Sequence, residues 1–132
     1  MDEITRNEPV IKFEKTIAEY FGAPYGVAVD SCTNGLELCF RLDQQQRGKK
    51  IVVAKVPYYT YVSVPNMLDK IGQQWKWEDD KWIGYYNLTD EIIDAAVYWK
   101  QGGYIPGTKN GIKFSKNKTL IHRQRWNDII RQ

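Results

Sequence analysis

Cysteine and histidine are scarce in this chain: Cys32, Cys39 and His122 are all that 132 residues contain. On one helix the two cysteines, seven positions apart, lie about two turns or roughly 10 Å from each other. A disulfide needs Cα atoms within about 7 Å, so the spacing predicts free thiols and a reducing compartment. One histidine and no Cys-x-x-Cys leave a structural zinc site with little support. No apolar run approaches the roughly 18 residues of a membrane span. Met1-Asp2-Glu3-Ile4 lacks the basic-then-apolar pattern of a secretory signal. A soluble, cytoplasmic protein is expected. Internal repeats and linkers are also missing, and the length suits one domain over residues 1–132.

What is present is a globular composition, 42% apolar and 14% aromatic. The net charge of +3 is uneven. Residues 109–132 hold seven Lys or Arg against one acid, whereas the remainder holds 12 basic and 15 acidic residues. Such a basic C-terminal segment can meet phosphate, nucleotide or nucleic acid, or be solvated surface.

Val10, Phe13, Ile17 and Tyr20 or Phe21 recur at helical spacing, which predicts a helix over Pro9–Phe21 with Asn7 as N-cap and Gly22 as stop. Residues 26–30 read as a short buried strand. A second helix is expected from Ser31 or Thr33 to Arg47-Gly48, with Leu36, Leu38, Cys39, Phe40 and Leu42 on its apolar face. Lys50–Val56 reads as a strand stopped by Pro57, Val62–Ile71 as a helix that tolerates Pro65 in its first turn, and Gln74–Trp77 as a third strand. Residues 78–88 look irregular and aromatic. Ile92–Ala96 reads as a fourth strand, residues 101–110 as glycine-rich loop, 111–114 as a last strand and 121–130 as a polar helix. Strands alternating with helices predict an α/β fold with a mostly parallel sheet.

Four segments can carry chemistry. Asp30-Ser31-Cys32-Thr33-Asn34-Gly35-Leu36 joins a strand to a helix, where unpaired N–H groups and the helix dipole suit a phosphate; an ordinary N-cap is the competing reading. Pro57-Tyr58-Tyr59-Thr60-Tyr61-Val62-Ser63 follows a strand, and its rings can stack on a flat ligand or fill core or interface. Asp94 ends an apolar strand and calls for a cationic partner, either a pyridinium N–H or a Lys or Arg. Lys118 lies 24 residues beyond Asp94 and is one of four lysines within ten residues, none singled out by composition; its cationic neighbours Lys116 and Arg123 would lower its pKa and favour a nucleophilic amine. An acid for a ring nitrogen and a lysine for an aldehyde are what a protein supplies to pyridoxal phosphate (PLP).

In this order the segments resemble the sugar aminotransferase family of the DegT type, PLP enzymes of the aspartate-aminotransferase fold. Val29–Leu38 is similar to the family's phosphate loop, which puts Cys32 and Thr33 at the cofactor phosphate. Residues 57–63 resemble the segment whose aromatic stacks on the cofactor, implying Tyr61. Asp94-Ala95-Ala96 resembles the acid-Ala-Ala motif, with Asp94 at the pyridine nitrogen. Phe114-Ser115-Lys116-Asn117-Lys118 resembles the lysine turn, and it is this family pattern that selects Lys118 as the cofactor-bearing amine. Residues 82–88 look like a linker in a shortened branch of the family.

The resemblance spans about residues 10–121 and implies a truncated large domain. Val97 stands where the family usually has His or Gln, and Lys113 where it often has a phosphate-contacting Ser. Lys113 could add a charge to the phosphate site. The implied activity is amination of a nucleotide-linked keto sugar by glutamate, part of the active site normally coming from a second subunit. A homodimer is expected separately, from the 14% aromatic content and the apolar faces left without a small domain to cover them. Two other readings compete: a non-catalytic homologue that keeps the fold or anion binding, and a nucleic-acid module using the basic segment, whose binding would fall steeply with salt.

Overall fold

A computed structural model describes residues 3–79 and 81–111 of the chain. Contacts divide these residues into two compact units. The first joins residues 3–29 to 99–106, and the second holds 30–79, 81–98 and 107–111.

The first unit is built on helix α1, Glu3–Phe21. It begins six residues before the predicted start and carries Pro9 in its interior, so Asn7 is a helical residue rather than the cap. Ala18 and Phe21 are buried, whereas Val10 is exposed. Gly22, at φ 74°, ends the helix in the left-handed region, as expected. Residues 26–30 do not form a strand. The Ala28 N–H donates to the Glu14 carboxylate at 2.7 Å instead of to a neighbouring strand. A Cβ on Gly26 would lie 2.9 Å from the Glu14 carbonyl oxygen, so the segment is pressed onto α1 and Val27 is left 67% exposed. The returning segment closes on the helix end, the Gly102 N–H bonding to the Tyr20 carbonyl and the Tyr104 N–H to that of Phe21.

The second unit starts with helix α2, Cys32–Gln46. Ser31 is its N-cap and accepts from the Asn34 N–H at 3.1 Å. Arg47 and then Gly48, at φ 62°, close the helix where the sequence predicts. Cys32, Leu36 and Phe40, four apart, form its buried stripe. Leu38 and Leu42 are exposed, contrary to expectation; two residues turn a helix about 200°, which carries them off the Leu36 face. Full burial of Leu36 and Phe40 is worth about 1.5–3 kcal/mol each.

Strand β1, Ala54–Pro57, is shorter than predicted and pairs in parallel with β2, Trp75–Glu78, Ala54 standing opposite Trp75. Helix α3, Ser63–Lys70, crosses between them. Its Pro65 falls in the first turn, where no intrahelical bond is lost, and Val64, Pro65, Met67 and Leu68 are buried. A second sheet has the order β3 (Tyr86–Asn87), β4 (Ile92–Asp94), β5 (Lys109–Gly111). β4 runs parallel to β5 and antiparallel to β3.

The expected mostly parallel sheet is present in part, as two small sheets: β1–β2 and β4–β5 pair in parallel, and β3–β4 is antiparallel. The two sheets are tied where the Lys55 N–H donates to the Leu88 carbonyl at 2.8 Å. β3 exists because Thr89 makes a tight return: its hydroxyl accepts from the N–H groups of Glu91 and Ile92. β5 begins two residues before the predicted strand, inside the stretch read as loop. β4 is buried on both faces, Ile92 and Ile93 alike, as its unbroken apolar run implies. The predicted terminal helix at 121–130 lies outside the described residues. No helix among the described residues is long and apolar enough to cross a membrane.

Candidate functional site

Two strand ends frame a cleft of about 380 Å³. β1 stops at Pro57 and releases Tyr58, Tyr59, Thr60 and Tyr61 into the lining. β4 stops at Asp94, and Asp94, Ala96 and Val97 line the opposite part. Trp82 supplies a further wall. The placement follows the rule that ligand crevices lie beyond the carboxyl ends of parallel strands.

Asp94 is held by its strand and by its own turn. It stands opposite Tyr86 of β3 and opposite Gly111 of β5. One carboxylate oxygen accepts from the Ala96 N–H at 3.1 Å, which turns the chain sharply at the end of β4. The carboxylate is half-buried and fixed in direction at the cleft wall.

The three tyrosines differ. Tyr58 stacks on Trp77 with ring centroids 5.7 Å apart and planes 10° from parallel, so one of its faces is covered. Tyr61, expected to meet a flat ligand, lines the cleft with Asp94 and is 67% exposed. The structure therefore brings these two predicted site residues together.

Cys32 and Thr33 open α2 and are not among the cleft-lining residues. The Cys32 side chain is buried and faces β5: a Cβ on Gly111 would lie 3.1 Å from its sulfur. Thr33 presents its hydroxyl 2.9 Å from that of Ser63, at the start of α3 and two residues beyond Tyr61. A hydroxyl pair uses one proton between them, so the other remains to donate to an anion. The Thr33 N–H, in the first helical turn, has no acceptor inside the helix. Lys113 and Lys118 lie outside the described residues. Of the basic segment 109–132, the structure describes Lys109–Gly111, where Lys109 pairs with Glu91 at 3.9 Å.

Sequence reasoning passed over Trp82 and the two residues behind it. Tyr86 is buried, its hydroxyl donates to the Glu78 carboxylate at 2.6 Å, and its ring meets Trp82 edge-on at 6.0 Å. Lys55 pairs with Glu78 at 3.7 Å. The crowding of aromatics in residues 82–86 was the available signal, but an irregular segment has no period to say which ring faces inward. Among the described residues no group of three or more His, Cys, Asp or Glu is placed to hold a metal ion.

Compared with known protein families, residues 2–106 match the DegT/DnrJ/EryC1/StrS aminotransferase family. No curated protein and no solved structure gives a significant match. The family match covers well over half of the chain, which belongs to the DegT/DnrJ/EryC1/StrS aminotransferase family.

Proposed function

We propose that this member of a generally PLP-dependent aminotransferase family uses the cleft between Asp94 and Tyr61 to bind pyridoxal phosphate and aminate a nucleotide-linked keto sugar, with glutamate as amino donor. The carrying observation is that the strand-end carboxylate and the exposed tyrosine line one cleft of about 380 Å³, a size suited to a small cofactor. The cleft offers an acceptor for a protonated ring nitrogen and aromatic walls for a flat ring; outside its lining, Thr33 at the start of α2, hydroxyl-paired with Ser63, would offer a hydroxyl and a helix start to a phosphate.

The bound cofactor supplies an electron sink for amino-group transfer. Asp94 would keep a proton on the ring nitrogen, its turn bond to Ala96 fixing the carboxylate in place. Tyr61 would cover one ring face and exclude water. Thr33 and the backbone at Cys32 would hold the phosphate, with Lys113 adding charge. Lys118 would provide the covalent amine and then carry protons as general base and acid.

A second reading, a ligand-binding homologue without turnover, is favoured by Val97, an apolar residue in the cleft where the family usually has His or Gln. One experiment serves both. The protein is incubated with PLP, its absorbance near the visible edge is recorded, and borohydride is added before peptide mass analysis. A bleached band and a reduced adduct on Lys118 support the enzyme. Saturable binding with no adduct supports the second reading. No binding by the unmodified protein ends both.

A further inference from the structure

We infer that Trp82 is a ring-gripping wall of the cleft, and that Tyr86 is its positioning residue, anchored by Glu78. The inference rests on the reading of the cleft as a site for a flat, nitrogen-containing ring and adds to it a residue outside the strand ends.

Residues 81–85 have no regular structure, yet Trp82 is half-buried and packs against the core while lining the cleft. Something other than a strand or helix must hold it. Gly84, at φ 82°, lets the segment lie against Tyr98, whose ring a Cβ there would meet at 2.9 Å. Tyr85 packs on the same ring with centroids 5.1 Å apart. Tyr86 then enters β3, buried, with its hydroxyl fixed to Glu78 at the end of β2. Its ring meets the indole at 65° between planes, the edge-to-face arrangement aromatic pairs prefer.

Tyr86 also stands directly opposite Asp94 in the ladder. Directly opposed residues have Cβ atoms about 4.5–5.5 Å apart. One anchored residue therefore touches the indole wall and neighbours the carboxylate that receives the ring nitrogen. An indole face is the strongest aromatic partner for a cation, so Trp82 suits a protonated pyridine ring better than a neutral one.

The test uses the whole chain with pyridoxal 5′-phosphate as probe. Affinity, quenching of tryptophan emission, circular dichroism of the bound probe and melting temperature are measured for the unmodified protein, Trp82→Leu, Trp82→Phe and Tyr86→Phe. Trp82→Leu should weaken binding about tenfold or more, and Trp82→Phe should restore most of it while losing the share of the quenching that Trp82 contributes among the five tryptophans. Tyr86→Phe should weaken binding severalfold and reduce the visible dichroism, because the wall is less firmly oriented. If Trp82→Leu misfolds, Trp82→Phe decides: an unchanged absolute loss of tryptophan emission on probe binding, relative to the unmodified protein, overturns the inference. Unchanged affinity in folded Trp82→Leu overturns it while leaving the cofactor reading intact. Absence of binding by the unmodified protein overturns both.

Discussion

Gln73 is the buried polar residue of the core among the described residues, 3% exposed. Its amide donates to the carbonyls of Val52 at 2.6 Å and Gln74 at 3.0 Å. Its oxygen accepts from Arg47 at 3.0 Å, which fastens the end of α2 to the approach of β2. Gln73→Leu keeps the volume but leaves the Val52 carbonyl without this donor, whereas the Gln74 carbonyl keeps the Ala54 N–H at 2.9 Å. Each buried unpaired group costs about 1–3 kcal/mol, and a loss of that size in urea unfolding is expected; an unchanged midpoint would show that water replaces the amide. Cys39 offers a pH test. Burial raises its thiol above the ordinary value, and nearby Lys109 partly opposes this. The unfolded chain then ionises first, so stability is intact below the usual thiol pKa of about 8.5 and falls as pH rises from there through the folded value. Cys39→Ala should flatten that alkaline decline; the same slope in both proteins would assign it to other groups.

Among the elements, β5 and α2 touch through Gly111. An added Cβ would sit 2.9 Å from Leu36 and 3.1 Å from the Cys32 sulfur, both buried. Since Gly111 pairs with Asp94, this close approach also sets how β4 presents its carboxylate. Gly111→Ala should cost about 1–3 kcal/mol through overpacking and weaken ligand binding at Asp94; wild-type values for both in calorimetric titration and melting would refute the coupling. α2, α3, β2 and β4 were legible in the sequence because each has a local signature: the Ser31 cap and Gly48 stop, the first-turn Pro65, the Trp75–Trp77 alternation, the Ile92-Ile93 run. β3 was not, because two residues carry no pattern and its formation depends on the Thr89 return. The strand expected at 26–30 failed because Val27 and Val29 report an apolar tendency, whereas strand formation needs a neighbour with free ladder groups, and α1 took that place. Asp94 and Tyr61 were readable as cleft-lining candidates, since Asp94 ends one strand and Tyr61 lies in the segment that follows another; Trp82 depends on tertiary contacts alone.

Across the whole molecule, the least legible features are closures between distant residues, such as the Gly102 and Tyr104 N–H groups on the end of α1. They leave no local mark in a stretch that reads as loop. The same scale decides association. Tyr59, Val62, Ile83 and Val97 are 86%, 72%, 96% and 63% exposed, and each lines the cleft or adjoins a residue that does. Exposed apolar patches beyond a few hundred Å² are uncommon on monomers and mark interaction surfaces. A second copy of the chain is the proposed partner, since a two-fold interface lets one patch cover its own image. Sedimentation at tens of micromolar should therefore give a dimer. Val62→Lys combined with Ile83→Lys should shift it toward monomer, because each lysine would bring its charge against the same charge across the axis. Both side chains are solvent-exposed in the single chain, so the double variant should keep its secondary structure by circular dichroism. A monomer from the unmodified protein, or a dimer unaffected by both lysines, would place the association surface elsewhere or remove it.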